Sequence, residues 1–122
     1  MRKSAKSTLA LAGTLALVMG SFSVAPGVAS AASAVEEGKK IAFHKKKGNC
    51  LACHKIAGGV AAGNVGPALV NMKARFPDKK ALRAQMWDPT ARNPNTMMPP
   101  FGKHKILTEK ELDKVVEFIY TL

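Results

Sequence analysis

The stretch GNCLACHKI, residues 48–56, contains both cysteines of this 122-residue chain and one of its three histidines. Two residues separate Cys50 from Cys53, and His54 follows directly. Four kinds of site use cysteines at this spacing: a short-range disulfide, a thiol redox pair, part of a zinc site and a covalent haem attachment. The choice among them decides much of the fold, because a chain this small gains stability from a cross-link or a bound cofactor.

Three of these alternatives fit the rest of the sequence poorly. A structural zinc site requires four ligands, yet there is no third cysteine, and His44 and His104 belong to no paired motif. A thioredoxin-like redox pair is typical of a βαβ frame, whereas the downstream segments have helical patterns. A disulfide between residues three apart closes a very short loop and adds little stability.

The histidine directly after the second cysteine favours haem attachment. The two thiols add across the haem vinyl groups, and one helical turn carries both sulfurs to the same edge of the porphyrin. The adjacent imidazole then reaches the iron. The sequence therefore predicts one covalent haem c held by Cys50 and Cys53, with His54 as an axial iron ligand.

The N-terminal segment predicts export. Three basic residues precede an apolar run, Leu9–Met19, and Ala-Ser-Ala triplets occupy residues 29–31 and 32–34. A basic start, a short apolar stretch and A-x-A sites are the features of a cleaved secretory signal. The apolar run is too short for a membrane anchor, which requires roughly 20 apolar residues.

We therefore expect a signal peptide over residues 1–34, cleaved after Ala31 or Ala34, and a periplasmic cytochrome c domain over residues 35–122. The formal charge of +11 falls to +8 once the three basic residues of the signal are removed. An exported chain with a single Tyr and no binding motif is not expected to bind nucleic acid. The lysine cluster at 45–47 fits an acidic protein partner or an anionic substrate better.

The sixth iron position requires a second ligand. A methionine sulfur opposite histidine raises the haem potential and suits electron transfer. Met98 precedes two prolines within NPNTMMPPFG, residues 93–102, and is the predicted ligand because prolines hold the chain extended. Adjacent residues of an extended chain point opposite ways, so Met97 is not expected to bind as well. Weaker candidates are Met72 and Met86, expected in the core, and His44 and His104, expected at the surface.

Three helices are predicted. The first, over residues 35–46, begins with two glutamates that suit a positive helix N-terminus. The second, over residues 78–88, begins at Asp78 as N-cap and ends before a proline. The third follows a capping box of Thr108 and Glu111. The side chains expected to be buried are Ile41 and Phe43 in the first helix, and Leu112, Val115, Val116 and Ile119 in the last.

The segment AGGVAAGNVGPALV, residues 57–70, is glycine-rich and predicts a loop packed closely around the haem. It lacks the lysine and the preceding strand of a phosphate-binding loop. A haem-ligating histidine normally donates its second ring N–H to a carbonyl. A Gly66-Pro67 turn could supply that acceptor.

CLACH, GPAL and a Met-Pro pair before a C-terminal helix, in this order, resemble class I cytochromes c. The resemblance implies an all-α fold of three to four helices wrapped around one covalently bound haem. It also implies that the carbonyl of Pro67 accepts the hydrogen bond of the ligand histidine.

A narrower resemblance runs from about Gly38 to Leu122. The segments KGNCLACH, GNVGPALVNMKARFPDKKALRAQMWDPT and NPNTMMPPFGKHKILTEKELDKVVEFIYTL closely resemble the SoxX family, the small monohaem subunits of the SoxAX cytochromes of bacterial thiosulfate oxidation. The resemblance implies that Cys50 and Cys53 carry the haem and that His54 and Met98 ligate its iron.

The SoxX resemblance also implies a role. SoxAX complexes, which are L-cysteine S-thiosulfotransferases, couple thiosulfate oxidatively to a cysteine of the carrier SoxYZ. This chain is then expected to transfer electrons to a soluble cytochrome, while the catalytic site lies on a larger SoxA-like partner subunit. The alternatives are a free-standing periplasmic class I shuttle, a haem sensor and a haem peroxidase, the last two requiring an open or easily displaced sixth position.

Overall fold

The computed structural model describes residues 26–122, and α-helices carry most of their regular structure. No strand occurs in this part of the chain, which confirms the predicted all-α, class I cytochrome c-like fold. The basic and apolar parts of the predicted signal peptide lie outside the described residues, so the domain bounds stay a prediction. The helices are α1 (Pro26–Phe43), α2 (Met72–Arg75), α3 (Lys79–Trp87) and α4 (Glu109–Ile119), with 3-10 turns at Cys50–Ala52 and Pro89–Ala91.

The first helix differs at both ends from its predicted bounds of 35–46. It begins at Pro26, since the fixed φ of proline suits a first helical turn, and it continues through an alanine-rich stretch of high helix propensity. It ends at Phe43, where a turn closes with the Gly48 N–H donating to the Ile41 carbonyl at 3.2 Å. Both predicted cleavage positions lie within α1; signal cleavage precedes folding, so this helical structure does not test it.

The caps of α3 and α4 confirm the other two predicted helices. The Asp78 side chain accepts a hydrogen bond from the Lys80 N–H at 2.9 Å, and α3 ends at Trp87 before a proline. Thr108 and Glu111 form a capping box, each side chain accepting from the backbone N–H of the other. These caps satisfy N–H groups that the first helical turn leaves without partners.

α1 crosses α4 at close range. A Cβ added to Gly38 would lie 1.9 Å from the Lys114 carbonyl oxygen, so a larger residue there would push the two helices apart. Near this crossing, the Phe43 and Phe118 rings pack edge to face with centres 5.8 Å apart. Such aromatic pairs stabilise a fold beyond their buried area.

Burial follows the predicted pattern in α4 and departs from it in α1. Ile41 and Phe43 are half-buried, and Ala42 between them is fully buried. The prediction for α1 is wrong in this detail because the close approach of α4 favours a small residue at the contact. The core residues of α4 are Leu112, Val115, Val116, Phe118 and Ile119.

One ion pair, between Lys47 and Glu111 of α4, makes the stability of the fold depend on pH. The hydrogen bond from Lys47 lowers the pKa of Glu111 from 4.5 to about 2, and the Thr108 N–H acts in the same direction. A carboxylate with a depressed folded pKa stabilises the fold above its unfolded pKa, and this contribution is lost as the pH falls. We therefore expect Glu111→Gln to lower the denaturant midpoint at neutral pH, and the difference from wild type to shrink between about pH 4.5 and about pH 2.

Glutamine can also complete a capping box, so this substitution removes the charge and leaves the cap. Glu36→Gln is the control, since Glu36 is exposed and forms no ion pair within residues 26–122. Parallel pH profiles for Glu111→Gln and wild type would contradict the prediction.

No helix within residues 26–122 has both the length and the apolar character to cross a bilayer.

Candidate functional site

The two cysteines lie on a tight turn. Asn49, in the left-handed region with φ of 46°, begins the 3-10 turn Cys50–Ala52. The N–H groups of Cys53 and His54 both donate to the Cys50 carbonyl, at 3.2 and 2.9 Å. This turn holds the two free thiols and the imidazole within five residues of chain, all on the lining of one cavity.

The His54 ring is fixed from one side. Its Nδ1 lies 2.7 Å from the Pro67 carbonyl oxygen. Because a carbonyl can only accept, Nδ1 carries the proton and Nε2 keeps a lone pair that can bind a metal. The Gly66 N–H donates to the Cys53 carbonyl at 2.8 Å, which ties the proline turn to the cysteine turn.

The glycine before Pro67 is required by the closeness of the loop to the ring. A Cβ on Gly66 would lie 2.3 Å from His54 Cε1 and 2.6 Å from Nδ1. Any other residue would displace the imidazole. The glycine-rich segment therefore packs directly on the histidine.

The cavity has a volume of about 1120 Å³. Sites for drug-sized ligands measure about 300–1,000 Å³, so this cavity has room for a porphyrin. Buried side chains of α2, α3 and α4 form part of its walls, which suits the apolar faces of a haem. A porphyrin-sized apolar cavity with two thiols and an imidazole on one wall fits covalent haem c. The buried and half-buried apolar residues of the lining include Leu69, Met72, Phe76, Leu82, Met86, Phe101 and Ile119.

The structure distinguishes the two adjacent methionines. Met97 is 80% exposed, whereas Met98 is half-buried and packs against the core. Both line the cavity, but of the two only Met98 packs against the core. Its assignment as the sixth ligand stays a prediction. Among the weaker candidates, Met72 and Met86 are core residues as predicted, and His44 and His104 are exposed and do not line the cavity.

The structure also bears on the rejected interpretations of the cysteines. Burial raises the pKa of the Cys50 thiol to about 11, so this sulfur is protonated at neutral pH. Thiol–disulfide exchange requires a thiolate, so the Cys50 thiol is poorly suited to act as its nucleophile. No group of three or more His, Cys, Asp or Glu side chains that could hold a metal ion occurs within residues 26–122.

Several polar residues that line the cavity are not among the site residues predicted from the sequence. Thr96 is one, and its Oγ1 accepts a hydrogen bond from the Met98 N–H at 3.1 Å. The Asn93 side chain accepts from the Asn95 N–H at 3.1 Å in the same loop. The signal for both turns was present, since Asn and Thr commonly hydrogen-bond to the backbone two residues on. Gln85, Arg75 and Arg92 also line the cavity, and they have no sequence signal beyond their polarity.

Thr96 is expected to hold Met98 in place. In Thr96→Val, the methionine N–H loses its acceptor while the side chain keeps its shape. We expect the sulfur-to-iron absorption band of the ferric haem to disappear at a lower pH than in wild type, and Thr96→Ser to restore the wild-type value. Thr121→Val, which removes a hydroxyl that bonds to the Phe118 carbonyl outside the cavity, is the control. Identical pH profiles for Thr96→Val and wild type would contradict this role.

The helical fold, the CxxCH turn, the fixed imidazole and the apolar cavity define a c-type cytochrome, a class of electron-transfer proteins that bind haem c covalently. Residues 33–119 match the family described as cytochrome C oxidase, cbb3-type, subunit III, and the chain belongs to this family.

Among curated proteins, an "Uncharacterized lipoprotein" of Aquifex aeolicus (strain VF5) is 35% identical over 79 residues. The aligned part is 62% of this chain and 37% of that protein. The chain thus spans well under half the length of this relative.

Proposed function

We propose that this cytochrome is the monohaem electron-transfer subunit of a SoxAX-type complex in the periplasm, with its catalytic site on a larger SoxA-like cytochrome. The observation that carries the proposal is the position of the two thiols. Cys50 and Cys53 both line the cavity beside His54, and covalent haem attachment is expected to use both thiols. Residues 26–122 hold no further cysteine that could receive a sulfur group or attack one. The resemblance of residues 38–122 to SoxX supports the choice of complex.

When bound, the haem supplies a reversible one-electron couple at its iron. The residues of this chain have the supporting tasks. Cys50 and Cys53 would anchor the group, Pro67 fixes the tautomer of His54, and Met98 would supply the second iron ligand. With Met98 bound, substrate would have no access to the iron, and this would disfavour the sensor and the peroxidase alternatives.

The rim of the cavity has the character of a protein-docking surface. Three apolar side chains are exposed there: Val65 at 58%, Met97 at 80% and Ile106 at 42%. The exposed Lys45 and Lys46 also line the cavity. Interfaces commonly combine an apolar centre with a charged rim. The proposed partners, SoxA and the acceptor cytochrome, then require an acidic surface around an apolar patch.

Lys47 differs from its two neighbours in this respect. Its ammonium pairs with Glu111, whereas Lys45 and Lys46 form no ion pair within the described chain. The double variant Lys45→Gln/Lys46→Gln therefore tests the docking surface without disturbing that pair. Lys110→Gln, on an exposed residue of α4 outside the cavity, is the matched control. The double variant supports docking if it slows electron transfer at low salt and weakens its salt dependence; rates equal to the control count against it.

A second candidate follows from the family to which the chain belongs, since that family is described as a subunit of an oxidase. The chain would then deliver electrons to a terminal oxidase. A third is the free-standing periplasmic shuttle.

The deciding experiment starts with the tagged holoprotein purified from its native host. A co-purifying larger haem protein, together with thiosulfate-dependent reduction of the ferric chain in the presence of SoxYZ, supports the SoxAX proposal. Oxidase subunits in the eluate support the second candidate. Recovery of the cytochrome alone, with no response to thiosulfate, supports the shuttle and overturns the proposal.

A further inference from the structure

The end of α3 packs against the segment that follows the two adjacent methionines. Trp87 is the last residue of this helix, and its half-buried side chain is not part of the cavity lining. A Cβ added to Gly102 would lie 2.1 Å from Cε3 and 2.4 Å from Cδ2 of the indole. The φ of Gly102 is not positive, so the lack of space, and not the backbone conformation, requires glycine there.

Backbone and charged groups join the same two segments. The Lys103 N–H donates to the Trp87 carbonyl at 3.1 Å. This carbonyl is one of those that the last turn of a helix leaves without a partner inside the helix. The Lys103 ammonium also lies 2.7 Å from Asp88 Oδ2. Residues 87–88 therefore hold residues 102–103 by ring packing, a backbone hydrogen bond and an ion pair.

The indole ring is itself held in place. The Arg83 guanidinium carbon lies 5.4 Å from the ring centre, a cation–π contact. Arg83 in turn pairs with Asp113 at 2.7 Å and with Glu109 at 3.2 Å, and both carboxylates belong to α4. Gly102 thus packs against a side chain that two helices hold.

The packed glycine lies close to Met98 along a stiff segment. Only Pro99, Pro100 and Phe101 separate the two residues. The prolines have fixed φ angles, and the Phe101 side chain is buried in the core. Few rotations are left between Gly102 and Met98, so a displacement of the glycine moves the methionine as well.

We infer that Trp87, from outside the cavity, is a positioning residue for Met98: its ring holds Gly102 and thereby keeps the methionine sulfur available to the iron. The inference rests on the proposed His54/Met98 ligation and is independent of which partner the cytochrome serves. A ligand that the chain itself supplies has an effective concentration at its site, and this falls when its loop becomes mobile. Loosening the contact with Trp87 therefore favours competing ligands such as hydroxide, although Met98 itself is unchanged.

The test uses the holoprotein with substitutions on both sides of this contact. Trp87→Leu removes most of the ring, Trp87→Phe keeps an aromatic face, and Gly102→Ala pushes the loop away from the indole. Phe43→Leu is the matched control, since it also replaces an aromatic side chain, one that packs against Phe118 and does not line the cavity. The readouts are the pH at which the sulfur-to-iron band of the ferric haem disappears and the denaturant midpoint.

We expect methionine ligation to weaken about three- to tenfold in Trp87→Leu, which lowers the pH of band loss by about 0.5–1 when one proton controls the competing ligand. Gly102→Ala should shift it in the same direction, and Trp87→Phe should lie between Trp87→Leu and wild type. Phe43→Leu should lower the denaturant midpoint and leave the pH of band loss unchanged. If Trp87→Leu does not fold, Trp87→Phe and Gly102→Ala are compared with the same control.

The double variant Trp87→Leu/Gly102→Ala tests whether the two residues act through one contact. The smaller leucine leaves room for the new methyl group, so the two effects on the pH of band loss should be less than additive. Additive effects, or a shift in Phe43→Leu as large as that in the Trp87 variants, overturn the inference alone. A wild-type spectrum without the band would instead overturn the ligation by Met98, and the inference with it.

Discussion

Met98→Ala is expected to abolish the weak sulfur-to-iron absorption band at the red end of the ferric spectrum and to let the ferrous protein bind carbon monoxide. The physical reason is that alanine has no donor atom, so the sixth iron position becomes available to an external ligand. The midpoint potential should also fall, since a thioether ligand favours the ferrous state. Optical spectra of the holoprotein with and without carbon monoxide measure the loss of the band and the binding of carbon monoxide. A redox titration measures the midpoint potential.

The neighbouring methionine supplies the control for this experiment. Met97→Ala removes the same side chain from a position that is 80% exposed. Its spectrum should match that of wild type, and it should not bind carbon monoxide. If Met97→Ala loses the band and Met98→Ala retains it, the ligand assignment is wrong.

Gly66→Ala is expected to destabilise the protein and to displace the histidine that the site uses. The new Cβ would lie 2.3 Å from His54 Cε1, so the imidazole must move and its contact with the Pro67 carbonyl must break. Overpacking and the lost hydrogen bond together cost about 2–4 kcal/mol. Denaturant unfolding of the holoprotein should show this loss, and the electron paramagnetic resonance spectrum of the ferric form should show an altered axial geometry.

Gly58→Ala separates the clash from the general effect of adding a methyl group to this loop. A Cβ there meets nothing within 4 Å, although the φ of +77° imposes some strain. In this control variant the free energy of unfolding should fall by only about 1 kcal/mol, and the electron paramagnetic resonance spectrum should match that of wild type. Equal losses for the two variants would contradict the packing of Gly66 against the histidine.

The parts of the site that could be predicted from the sequence are those where chemistry requires a short-range pattern. The CxxCH motif predicts a single turn that carries both sulfurs and the imidazole, and such a turn is found at residues 50–54. The caps at Asp78 and Thr108 are equally local, so both ends of α3 and the start of α4 agree with their predicted positions to within one residue.

Features that depend on contacts between distant residues were harder to predict. The predicted start of α1 at residue 35 is wrong, since the helix begins at Pro26. The alanine-rich sequence between these positions suits both a secretory signal and a helix. The burial of Ala42 instead of its larger neighbours depends on the close approach of α4, which α1 alone does not reveal. Gln85 and Arg92 are ordinary polar residues in the sequence, and only the fold brings them to the same cavity.

The ion pairing of the three lysines at 45–47 could not be predicted from the sequence either. Lys45, Lys46 and Lys47 form one basic cluster in the sequence, yet only Lys47 is paired with a carboxylate, 64 residues further along the chain. This pairing divides the cluster into one residue that stabilises the fold at neutral pH and two that form no ion pair within the described residues.

The central claim is that this chain is a cytochrome whose iron is closed on both sides, so that it transfers electrons without binding substrate. The most direct test is the absorption spectrum of the wild-type ferrous holoprotein before and after exposure to carbon monoxide. The account predicts a low-spin haem c spectrum that carbon monoxide leaves unchanged. A high-spin spectrum, or rapid formation of a carbon monoxide complex, would contradict it and favour a sensor or an enzyme with an open iron position.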